Sequence, residues 1–129
     1  MQFMLDTDTC SFIIKKVPSA LAAALKHKGD WCISSVVYEE LAFGLIASRG
    51  TRLEPGYEAF LRTVPVVEFT KSDALASADI RAHNFKRGHN IGLADNQIAG
   101  HAANTGLVLV SNNLKHLKPI NGLEVVSWV

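Results

Sequence analysis

GHNIGLADNQIAGHAANTGLVLVSNN, residues 88–113, changes its hydrophobic period halfway along. Asp95, Ile98, Ala99, Ala102 and Ala103 recur at helical spacing, and Gly106 closes that stripe. Leu107 to Val110 then forms an unbroken apolar run, ended by Ser111-Asn112-Asn113. A short aliphatic run without alternation suits a strand buried on both faces. A helix feeding such a strand is the repeating unit of a parallel α/β sheet.

The same alternation extends outward. Phe3-Met4-Leu5, Trp31-Cys32-Ile33, Val64 to Phe69 and Glu124 to Trp128 read as four further strands. Pro18 suits a first helical position before Leu21 and Leu25. Ser35 suits the cap of a helix whose stripe is Val37, Leu41 and Leu45. Thr70-x-x-Asp73 has capping-box spacing, with Leu75, Ala78, Ala82 and Phe85 as the stripe and Gly88 as the stop. Arg49 to Gly56 shows no usable period. The expected fold is a three-layer α/β sandwich with a parallel sheet of about five strands, and residues 1–129 read as a single domain.

Composition narrows the function. The chain has 48% hydrophobic and 19% charged residues, a globular balance. A net charge of +1 gives no global field for nucleic acid or anionic lipid, so any such surface must be a local patch. Cys10 and Cys32 form no C-x-x-C pair, which suits a reducing cytoplasm. No apolar run approaches the ~18 residues of a membrane span, and no export signal opens the chain. Phosphate-loop, nucleophile-elbow and H-E-x-x-H motifs are absent, and His27, His83, His89, His101 and His116 lack metal-ligand spacing. His101, six residues after Asp95, reads as a packing or hydrogen-bonding residue.

Ligands of open parallel sheets sit beyond the carboxyl ends of the strands. Asp6 follows the first strand there, as a helix cap or as a ligand. Asp95 lies on the inward stripe at a helix start. Glu40 lies at the edge of its stripe, whereas Glu39 faces solvent. Bare carboxylates gathered at one place raise one another's pKa, and a hard divalent cation, Mg²⁺ or Mn²⁺, resolves the conflict. Such an ion supports hydrolysis of a phosphodiester.

These residues carry a resemblance. LDTDTCSF (residues 5–12), ISSVVYEELAFG (33–44), the 88–113 stretch and INGLEVVSW (120–128) together resemble the VapC-type toxins of the PIN-domain ribonucleases, nearly end to end. The resemblance implies catalytic positions at Asp6, Glu40 and Asp95. Asn113 stands where many relatives carry a fourth carboxylate, with an amide oxygen able to ligate a cation. It further implies a Mg²⁺- or Mn²⁺-dependent endoribonuclease that arrests translation by cutting structured RNA, commonly tRNA. The subgroup it is similar to cuts initiator tRNA in the anticodon stem-loop. A cognate VapB-type antitoxin, a homodimer and a toxin–antitoxin hetero-oligomer are also implied.

Two rivals remain: a haloacid-dehalogenase-like phosphatase using Asp6-Thr7-Asp8, and a non-catalytic PIN-like binding module. Lys86 and Arg87, with His89, and Lys115 and Lys118 are the expected RNA-gripping residues. Phe12, Ile13, Ile14, Tyr38, Phe43 and Leu45 look too many for one small core, which favours a dimer.

Overall fold

The computed structural model describes all residues, 1–129. Its order is β1 (Phe3–Leu5), α1 (Thr7–Ile14), α2 (Pro18–Lys26), β2 (Trp31–Ser34), α3 (Ser35–Ala47) and α4 (Glu54–Thr63). Then come β3 (Val66–Val67), α5 (Lys71–Lys86), α6 (Leu93–Thr105), β4 (Val108–Val110), α7 (Leu114–Leu117) and β5 (Val125–Val126). The five strands form one parallel sheet in the order β3-β2-β1-β4-β5. β1 is central, with Phe3 opposite both Trp31 and Val108.

Every residue of β1 and β4 is buried, whichever side it points to, so helices cover both faces of the sheet. Met4, Leu5, Ile33 and Leu109 have no exposed surface and anchor one continuous core. Truncating any of these aliphatic side chains to alanine costs about 2–5 kcal/mol. The strand order reverses between β1 and β4, and that reversal leaves a crevice past the carboxyl ends of those two strands.

Several local readings change. The third and fifth strands shrink to two residues each, because both lie at sheet edges and pair on one side only. α2 buries Ala20 and Ala24 and packs Leu21 partly against the core, while Leu25 is exposed. Ser34, not Ser35, caps α3 by accepting from the Val36 N–H, and the Ser35 hydroxyl accepts from the Phe69 N–H. α4 begins inside the stretch that showed no period; Pro55 stands in its first turn.

The largest departure is α5. Its capping box forms as expected, but Leu75 and Phe85 are 74% and 84% exposed, and Asp73, Ser77 and Asn84 are buried instead. The inward face meets α6 at small and polar residues. A Cβ on Gly100 would lie 2.5 Å from the Ser77 backbone, so only glycine permits this approach. Gly106 closes α6 in the left-handed conformation at φ 73°, as its position after the stripe predicts.

Candidate active site

Asp6 continues the sheet past β1, its N–H donating to the Val110 carbonyl at 3.0 Å. Its side chain caps α1: Oδ1 accepts from the Thr9 N–H at 2.8 Å. Cap and candidate ligand are therefore one residue, not alternatives. Ser111, fully buried at the end of β4, lies beside the same carboxylate and lowers its pKa. Asp6 is only 6% exposed. Burial raises its pKa above the ordinary carboxylate value, against the Ser111 and Thr9 hydrogen bonds, and the nearby Asp8 charge pushes the same way as burial.

Asp95 lies in the first turn of α6, where the helix dipole favours its charge. Its Oδ2 accepts from Asn113 Nδ2 at 3.0 Å. Asn113 is set by the turn after β4, its N–H donating to Ser111 Oγ at 3.0 Å. One short turn thus touches Asp6 through Ser111 and Asp95 through Asn113.

The amide orientation of Asn113 follows from chemistry. An ionised carboxylate only accepts, so the NH₂ group faces Asp95 and the oxygen faces away. That oxygen accepts from His116 Nδ1 at 2.8 Å, which fixes the proton on Nδ1. The amide oxygen of Asn113 thus faces His116, and its amide nitrogen donates to Asp95.

Glu40, in the second turn of α3, is exposed, yet its Oε1 accepts from Thr7 Oγ1 at 2.6 Å. Since Thr7 follows Asp6 directly, this bond draws Glu40 towards the edge holding Asp6. Glu39 is exposed. The three carboxylates share one edge of the sheet, and no basic side chain stands within 4.0 Å of any of them. They do not close on one point: no three Asp, Glu, His or Cys side chains are near enough to hold an ion together. Each meets a donor of its own, the Thr9 N–H for Asp6, Thr7 for Glu40 and Asn113 for Asp95.

Thr7, Ser111 and His116 carry roles that the sequence reading did not assign. Their signal was proximity: each lies within three residues of a candidate site residue in the chain.

Lys86 and Arg87, at the end of α5, and Lys115 and Lys118, on and after α7, are exposed and unpaired. The ring of His89 lies against that of His116, centroids 5.6 Å apart, and so joins the two basic segments next to Asn113. A cleft of about 870 Å³ runs along the exposed face of α5, past Ala78, Ala82, Phe85 and Leu93, and reaches Lys86 and His89.

A second polar cluster lies inside the fold. His101, with no exposed surface, has Nδ1 2.9 Å from Ser34 Oγ and Nε2 3.4 Å from Asp73. Asp73 also accepts from the Thr70 N–H and hydroxyl and from Asn104 Nδ2. No substrate can reach a serine with no exposed surface, so this serine–histidine–aspartate set pins α3, α5 and α6 together. That is the hydrogen-bonding role expected of His101.

Comparisons with known proteins bear on the family and the fold. The PIN domain family model matches residues 3–119. The chain is 34% identical to the tRNA(fMet)-specific endonuclease VapC of Shigella flexneri, over 99% of this chain and 98% of that one. Among solved structures, it superposes on VapBC2 from Rickettsia felis, bound to a DNA fragment from their promoter, with a TM-score of 0.89. Identity there is 28%, with both chains fully covered. DNA-bound VapBC from Salmonella typhimurium gives a TM-score of 0.86 at 31% identity, covering 100% of this chain and 99% of that one. With five parallel strands in one sheet, a match over most of its length and full-length relatives above 30% identity, the chain belongs to the PIN domain family, among its VapC-type members.

Proposed function

We propose that this chain is the toxin of a toxin–antitoxin pair and a Mg²⁺- or Mn²⁺-dependent endoribonuclease. Its substrate on this reading is structured RNA, with the anticodon stem-loop of initiator tRNA as the target. The carrying observation is the edge formed by Asp6, Glu40 and Asp95, three carboxylates with no basic partner. The fit with a hard cation rests on the all-oxygen donor set and on the burial that makes the charge on Asp6 costly. Asp6, Glu40 and Asp95 would hold the ion by closing on it from their present separation. When bound, it supplies charge stabilisation at the scissile phosphate and an acidified water. Ser111 and Asn113 orient Asp6 and Asp95, while Thr7 restrains Glu40. Lys86, Arg87, Lys115 and Lys118 grip the RNA backbone on either side of Asn113.

The named relatives support the RNA substrate, and the VapBC complexes support a VapB-type antitoxin as partner. No helix is long and apolar enough to cross a membrane, and an RNA substrate suits the cytoplasm. A homodimer is supported by α3, whose Tyr38, Phe43 and Ile46 are exposed; Ile13 is buried instead, with Phe12 and Ile14 packed on the core. Sedimentation at micromolar concentration that finds only a 14.0 kDa species removes the dimer.

The deciding experiment incubates purified protein with initiator tRNA and Mg²⁺ and maps the cut ends. Cleavage in the anticodon stem-loop that stops in EDTA is expected. Full cleavage in EDTA overturns the metal, and intact tRNA alongside cleavage of another RNA overturns the substrate.

A further inference from the structure

His116 is not among the carboxylates, nor among the basic residues expected to grip RNA. It nevertheless ends a chain of contacts that starts at Asp95. Asp95 Oδ2 accepts from Asn113 Nδ2 at 3.0 Å, and Asn113 Oδ1 accepts from His116 Nδ1 at 2.8 Å. A side-chain amide can rotate by half a turn and exchange its oxygen and nitrogen. Rotated, Asn113 would present its oxygen to the Asp95 carboxylate, acceptor against acceptor. The Asp95 carboxylate disfavours that rotation from one side, and His116 Nδ1, a donor to the amide oxygen, opposes it from the other. α7 holds the imidazole in place: Leu117 is buried in the core and its N–H donates to the Asn113 carbonyl. The ring of His89 packs against the other side.

We infer that His116 is a positioning residue for the reaction site: it locks the Asn113 amide as a donor and thereby holds Asp95 in place. The inference rests on reading the Asp6–Glu40–Asp95 edge as that site. A carboxylate at position 113 would need no such lock, since its two oxygens are alike. The histidine is matched to the asparagine.

Two variants separate positioning from mere packing. His116→Leu removes the donor but keeps an apolar side chain beside Leu117. His116→Asn returns an N–H donor close to where Nδ1 lies. Two readouts are taken on the intact chain: solvent exchange of the Asn113 side-chain amide protons by NMR without divalent ion, and Mn²⁺ affinity by calorimetry. Faster amide exchange in His116→Leu is expected, with Mn²⁺ affinity lower by about 10-fold or more, the usual scale for residues that orient metal ligands. His116→Asn is expected to recover both.

Unchanged exchange in His116→Leu, or failure of His116→Asn to recover it, overturns the inference. If the parent binds no Mn²⁺ but the exchange pattern holds, positioning stands and the metal reading falls. If the parent binds Mn²⁺ and His116→Leu matches it in both readouts, the lock falls and the metal site stands.

Discussion

Ser34, His101, Asp73 and Asn104 form one cluster; Ser111, His116, Asp95 and Asn113, with Asp6, form another. The residue types are the same, and α6 contributes to both. In the inner cluster Asp73 is crowded with donors. Burial alone would raise its pKa, but Asn104, Thr70 and the approach of His101 outweigh it and hold the carboxyl below its usual range. At the edge, Asp6 also takes hydrogen bonds, from Ser111 and Thr9, but no histidine stands beside it and the Asp8 charge adds to the effect of burial, so burial wins and its pKa is raised. A satisfied carboxylate glues helices together. An under-satisfied one stores a demand for positive charge, and a cation can meet that demand.

Exchanging the roles of the two clusters is the strongest test. Asp6→Asn is expected to reduce cleavage at least about 100-fold, more than the loss usual for residues that only orient metal ligands. Its unfolding midpoint should equal or exceed that of the parent, because a raised pKa means that ionised Asp6 opposes folding at neutral pH. Asp73→Ala should do the reverse. Stranding His101, Thr70 and Asn104 costs about 3 kcal/mol, roughly 10 °C in midpoint, while the folded fraction still cleaves. An Asp6→Asn protein that melts early, or an Asp73→Ala protein of normal midpoint, breaks the comparison.

A smaller effect is expected with pH. Burial holds the His101 pKa below the ordinary imidazole value, although Asp73 pulls it upward. The unfolded chain therefore takes up a proton near pH 6.5, where the folded chain does not. This contribution to stability is fully present above that pH and is lost as pH falls through the lower folded value. Asp73 adds a second loss at more acidic pH, its folded pKa being lowered as well. From pH 7 down to pH 5 the midpoint of the parent should fall relative to that of His101→Gln, the relief of ionised Asp6 on acidification being common to both. Parallel curves would show that His101 does not titrate on unfolding.

The smallest effect concerns Asn113→Asp. It sets two carboxylates against each other at the edge, about 1 kcal/mol of repulsion when solvent screens it. Its midpoint without divalent ion should drop by a few degrees and recover in Mn²⁺, with tighter binding than the parent. Identical midpoints and affinities would mean that position 113 and Asp95 do not interact.

The sequence made the sheet legible because its strands are short unbroken runs such as Leu107 to Val110. It made the candidate edge legible because Asp6 follows a strand, Asp95 lies in the first turn of its helix and Glu40 sits at the edge of an apolar stripe. It misled at α5. Leu75 and Phe85 have helical spacing, but the face that packs carries Asp73 and Ser77, which meet His101, Asn104 and Gly100. An interface closed by hydrogen bonds and a missing side chain leaves no hydrophobic period to read. The orientation of Asn113 was hidden for another reason: its residue type allows a ligand or a donor, and only its neighbours Asp95 and His116 set which way the amide points.

The central position of β1 has a consequence in time. Phe3 pairs with Trp31, made shortly afterwards, but its other neighbour, Val108, is made 105 residues later. At ordinary rates of synthesis that interval is roughly 5–20 s. Throughout it the growing chain carries Asp6 on a half-paired strand, without the Val110 carbonyl or the Ser111 hydroxyl that later hold it. The first residue of the edge to be made is thus among the last to be set, and the nascent chain cannot assemble its carboxylates until nearly all of it has been translated.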